Sequence, residues 1–167
     1  SLPAPVPDAS LAGMPSPSQL EALKKYTTVV ADTGDIDAIA RLKPQDATTN
    51  PSLLLKAAQL PAYRALVDGA HATAAKSPGD EKQRTAAFMD VLAVAFGREI
   101  LKHVPWRVST DVDAGLSFDT SGTIPQPKHL LDRSDQAGLS RTPLLLNIDT
   151  TWERPAAAAH TLHDALH

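Results

Sequence analysis

Short apolar runs that turn polar at their carboxyl ends alternate along this chain with stretches of helical periodicity. Residues 28–32 (TVVAD) are β-branched, end in an acid and lead into Thr33-Gly34. Residues 46–50 (DATTN) read as a second strand, stopped by Pro51. Residues 107–113 (RVSTDVD) follow Pro105 as a third, and residues 144–152 (LLLNIDTTW) open a fourth. Between them Ile36, Ile39 and Leu42 repeat at helical spacing, and Pro51 suits the first turn of a helix carrying Leu53, Leu54 and Leu55. Residues 62–76 and 80–102 read as two further helices, the second the longest amphipathic segment, and an alanine-rich helix is expected from residue 155 to the end. Ser18 and Glu21 have the spacing of a capping box, in which each side chain satisfies the other residue's free amide.

Strand–helix alternation of this kind implies right-handed parallel crossovers, in an open sheet or in a (β/α) barrel. Four strands end in polar groups: Asp32; Thr48 to Asn50; Ser109 to Asp113; Asn147 to Thr151. In barrels the carboxyl ends of the strands are the face where reacting groups converge. The same residues have plainer readings: helix-capping or turn chemistry at Asp32 and before Pro51, and strand packing at Ser109.

The 167 residues suffice for one domain with a core. Residues 1–17 hold five of the 14 prolines and no basic residue, so a flexible arm is expected ahead of a folded domain over 18–167. That arm lacks the features of a secretory signal or a mitochondrial presequence. The net charge of −3 comes without a block of like charge, which argues against a nucleic-acid or membrane surface. No cysteine is present, which excludes disulfides and a thiolate nucleophile and suits a reducing, cytoplasmic setting.

Residues 26–35 (YTTVVADTGD), 43–52 (KPQDATTNPS), 107–113 (RVSTDVD) and 151–153 (TWE) resemble successive stretches of transaldolase, in the pentose phosphate pathway branch. The resemblance runs from about Leu20 to Leu162. It implies a (β/α) barrel, here about four β/α units of a partial TIM-type barrel. It also implies transfer of a dihydroxyacetone unit between sugar phosphates through a lysine Schiff base, with no cofactor. By that resemblance Asp32 is the general acid/base, Asn50 holds a substrate hydroxyl, Thr48 lines the same substrate-binding pocket and Ser109 is another hydroxyl of it.

Departures from the family pattern bear on activity. Asn147 occupies the Schiff-base lysine position, and an amide nitrogen is not a usable nucleophile. Asp111 stands for a family glutamate, Gly115 for an arginine and Trp106 for a glycine. Asp149 adds a charge to the fourth strand, where burial demands a partner. Pro125 and Pro127 fall in a helix that the family places over residues 121–136, so this helix is expected to begin at Pro127 or later, or to break. About 250 residues make a whole barrel, so a second copy or another partner is expected to complete this one. Two readings follow beside the active enzyme: a truncated, non-catalytic relative or interaction module, and a metal site on the last helix at His160, His163, Asp164 and His167. Those four share a helix face, but histidines there also suit the helix dipole.

Overall fold

In a computed structural model, residues 18–111, 125–139 and 144–147 are described. The expected arm over 1–17, Gly115, Asp149, the last helix and its histidines all lie outside these residues. The chain order is α1 (Gln19–Leu23), β1 (Val30–Asp32), α2 (Ile36–Leu42), β2 (Asp46–Thr49) and α3 (Pro51–Ala58). A 3-10 turn, Pro61–Tyr63, leads into α4 (Arg64–Ala74) and α5 (Glu81–Ile100). Then come β3 (Val108–Asp111), α6 (Pro125–Gln136) and β4 (Leu144–Asn147).

Every strand is parallel to its neighbours, and the sheet order is β1-β2-β3-β4. Doubly wound open sheets reverse their strand order at a switch point. A strictly sequential order is that of an arc of a barrel, so the first alternative above is set aside. The helices pack against one face of the arc. Leu92, Phe96 and Ile100, at successive four-residue steps of α5, are fully buried against α2, α3, α4 and the sheet. Val108 reaches toward Gly97 of α5, and Thr110, Leu144 and Leu146 share that same side with Leu130 and Leu131 of α6. The opposite, inner face carries exposed Val30 and Leu145.

Local chemistry explains most element ends. Asn50 and Asp80 cap α3 and α5, with Pro51 in the first turn of α3. The Asp80 cap is a full capping box, because Gln83 returns its side chain to the Asp80 amide at 2.9 Å. At Ser18 only half of the expected box forms. The serine hydroxyl accepts the Glu21 amide at 3.2 Å, but the Glu21 carboxylate turns instead to Lys24 at 2.9 Å. An ion pair with a lysine one turn along outcompetes the back-bond to an exposed amide.

Helix α6 corrects the expectation about its prolines. It opens at Pro125, two residues before Pro127, and is continuous to Gln136. The first-turn amides of a helix have no intrahelical acceptor, so a proline there removes nothing that was bonded. Pro127 is also fully buried, which turns its ring into core volume. The expected single helix over 62–76 is split instead, with its first residues drawn into a 3-10 turn by Pro61 and Tyr63. No helix among the described residues is long and apolar enough to cross a membrane.

Candidate functional site

Strand alternation decides which residues share the inner face. Ala31 packs on the core, so Asp32 points to the other side; Ala47 and Thr49 are buried, so Thr48 does the same. Val108 and Thr110 face the helices, which turns Ser109 and Asp111 inward, and Leu146 does likewise for Asn147. Register then aligns Asp32 with Thr48, Thr48 with Ser109, and Asp111 with Asn147. Five of the six sequence-derived site residues thus line one wall at the carboxyl ends of the strands.

One direct contact joins two of them. The Asn147 amide donates to Asp111 Oδ1 at 2.9 Å, across the β3–β4 pair. The Ser109 hydroxyl oxygen is shielded from solvent and has no hydrogen-bond partner. A buried hydroxyl without a partner costs about 1–3 kcal/mol. The sixth residue, Asn50, behaves differently. Its side-chain oxygen accepts the Leu53 amide at 2.9 Å as the cap of α3, so the turn role holds in the structure and only the amide end is left for a ligand.

A frame behind Asp32, unseen in the sequence, fixes the turn that follows it. The Thr33 amide donates to the Thr48 carbonyl at 3.2 Å, and the Thr33 hydroxyl accepts the Asp35 amide at 3.1 Å. A Cβ on Gly34 would stand 2.9 Å from the Leu53 carbonyl oxygen and 3.0 Å from Ala57 Cβ, so α3 presses directly on this turn. Buried Tyr63 closes the frame: its hydroxyl donates to Asp35 Oδ1 at 3.1 Å and accepts the Asp37 amide at 3.3 Å. Burial pushes the Tyr63 phenol above its ordinary 10.0; the Asp37 amide pulls it back, while the Asp35 and Asp37 carboxylates raise it further. Tyr63 stands 28 residues from Asp35 and belongs to no local motif, so only the fold reveals the pair.

Behind the sheet, a cavity of about 790 Å³ opens among α3, α5 and α6 and reaches Thr110 and Asp111. Among the described residues, no group of three or more His, Asp or Glu is arranged to hold a metal ion.

The family model for transaldolase/fructose-6-phosphate aldolase matches residues 29–164, which takes in all four strands. The chain belongs to this family. It is 51% identical over 141 residues to transaldolase A of Salmonella typhimurium. It is 52% identical over 139 residues to a transaldolase of Shewanella sp., and 51% over 136 residues to that of Cricetulus griseus. These matches cover 81–84% of this chain but only 40–45% of the relatives, so the chain spans less than half the length of the transaldolases it matches. Transaldolase-family folds are eight-stranded (β/α) barrels, and the sequential four-stranded arc fits as part of one. The family resemblance read from the strand sequences is thereby borne out, and with it the fold class.

Proposed function

We propose that this chain is a non-catalytic transaldolase-family wall: it keeps hydroxyl-holding groups for a sugar phosphate but lacks the amine that would bond to it. The observation that carries this reading is the Asn147–Asp111 hydrogen bond at the place where the resemblance puts the lysine. A lysine amine attacks a ketose carbonyl, loses water and leaves an iminium that accepts the electron pair of the breaking carbon–carbon bond. An amide lone pair is delocalised into its carbonyl, so Asn147 can only donate a hydrogen bond. Asp32 would still offer a base, and Thr48, Ser109 and the amide end of Asn50 would still hold polyol hydroxyls. None of the residues of β1 to β4 is basic, so the phosphate would be held from elsewhere.

Within this reading the arm over residues 1–17 is separate from the domain, the setting is the cytoplasmic pentose phosphate branch, and a partner covers the inner face. Incubation with fructose 6-phosphate, borohydride reduction and intact-mass measurement test the central claim. No mass gain is expected; a covalent adduct on any lysine, with release of an aldose phosphate, overturns it. Parallel ligand titration followed by amide NMR is expected to move Thr48 and Ser109, and unchanged spectra at millimolar ligand would remove the sugar-holding role.

A further inference from the structure

We infer that the amino end of the sheet is a docking surface for single-stranded nucleic acid, with Trp106 and Tyr26 as stacking faces among cations that track the phosphate backbone. Parallel strands start at one end, so the segments leading into β1, β2 and β3 converge there. The Lys24 ammonium donates to the Leu42 carbonyl at 2.9 Å, which ties the end of α1 to the end of α2. The Gln45 amide donates to the Val29 carbonyl at 2.9 Å, and the Arg107 amide to Asp46 Oδ1 at 3.0 Å. Lys25, Arg41, Lys43 and Arg107 are thereby gathered on one surface, all exposed, and none has an ion pair among the described residues. Acids stand at the other end: Asp32 and Asp111 close strands, Asp35 and Asp80 cap α2 and α5, and Asp37 and Glu81 sit in the turns that follow. A net charge of −3, with no block of like charge along the sequence, thus conceals two oppositely charged ends that only the fold assembles.

The carboxyl ends of α2 and α5 draw on some of this positive charge, since each carries about half a negative charge. Arg107 enters β3 and serves no helix end. Nor does the helix dipole account for the aromatics, Trp106 at 57% exposed and Tyr26 at 88%. Side chains of this size are mostly buried in folded proteins. Trp106 stands directly before Arg107, where the resemblance has glycine. The cation types point to the partner. Lys24, Lys25, Lys43 and Lys102 outnumber the arginines at this end. Lysine is depleted from protein–protein interfaces, whereas nucleic-acid surfaces set it against phosphates. Bases of any sequence stack on aromatic faces. A polynucleotide strand uses both features, and an acidic protein only the charge.

The test follows the anisotropy of a fluorescein-labelled uridine oligomer of about 12 nucleotides, titrated with the chain at about 50 mM salt. Saturable binding is expected below about 100 µM, weakening with salt at a log–log slope near −3, about 0.7 for each of four phosphates neutralised. Trp106→Gly is expected to weaken binding about tenfold, and Trp106→Phe to keep most of it. Arg107→Gln should reduce the slope by about one, whereas Lys82→Gln, at the opposite end of the sheet, should change neither. Circular dichroism checks each variant for folding, and Arg107→Gln with Lys43→Gln, both at exposed positions, carry the test if Trp106→Gly is misfolded. No binding at about 100 µM, or full affinity in Trp106→Gly, overturns the inference. Equally good competition by polyglutamate also overturns it, in favour of an acidic protein partner. The borohydride result at Asn147 is independent of all these outcomes, because the two surfaces lie at opposite ends of the strands.

Discussion

Replacing Tyr63 by Phe removes one oxygen from a buried frame and leaves the ring in place. That ring stands edge-on to Phe96, with centroids 5.4 Å apart and planes at 74°, so packing is retained. What is lost is a hydrogen bond to the Asp35 carboxylate at 3.1 Å and a longer one from the Asp37 amide at 3.3 Å. Bonds to charged groups contribute about 1.5–3 kcal/mol, whereas the longer bond contributes less. Asp35 keeps the Ala38 amide at 3.1 Å, which limits the damage. A net loss of about 2 kcal/mol is expected, or roughly 6 °C in Tm for a chain of this size. Urea unfolding followed by far-UV circular dichroism measures it, because α2 and α5 melt together with the core they share.

The pH dependence sharpens the same test. The phenol is held above its ordinary 10.0, foremost by burial, so the folded state favours the protonated form. Stability of this origin is complete below the unfolded value near 10 and is lost as pH climbs through the higher folded value. The gap between native chain and Tyr63→Phe should therefore narrow above about pH 10. A difference below about 0.5 kcal/mol at neutral pH, or a gap that widens with alkali, would refute the frame as drawn.

Gly34→Ala forces a methyl against the Leu53 carbonyl and Ala57, so a loss of about 1–3 kcal/mol is expected in the same unfolding assay. Leu92→Ala empties the centre of α5, where Leu92 is fully buried, and should cost about 2–5 kcal/mol. Asp80→Ala removes the capping box of α5 and should cost about 1 kcal/mol, with Asp80→Ser restoring most of it. Asn147→Asp sets two carboxylates at the present hydrogen-bond contact, each raising the other's pKa above its unfolded value. The variant should be less stable by about 0.5 kcal/mol at pH 7 and recover the difference on acidification below the carboxylate range, which pH-dependent melts can follow.

The inner wall was legible in the sequence because it depends on strand alternation, a strictly local rule. TVVAD, DATTN and RVSTD each show which residues oppose the apolar ones. The Asp80–Gln83 box obeys an equally local spacing, the same as that of Ser18–Glu21. At Ser18 the pattern was correct and the outcome was not, because Lys24 competes for the same carboxylate from one turn away. The cost of Pro125 and Pro127 depends on where the helix starts, which the surrounding residues leave open. The Tyr63–Asp35 bond and the pressure of α3 on Gly34 join parts of the chain that only the fold brings together. Asn147 was placed by resemblance, but its hydrogen bond to Asp111 required the β3–β4 register.

The sequential strand order has a consequence for how the wall comes into being. The β1–β2 pairing closes over α2 alone, whereas β2 meets β3 across the α3–α5 helices, with Asp46 accepting the Arg107 amide from 61 residues away. Among the described pairings this spans the longest separation, and it carries the largest loop-closure penalty before any contact rewards it. That seam runs between Thr48 and Ser109. Asp32 and Thr48 are therefore assembled early on one side, and Ser109, Asp111 and Asn147 on the other. Refolding should bring these two groups together last, so a chain arrested before that step would hold both halves of the wall without a site between them.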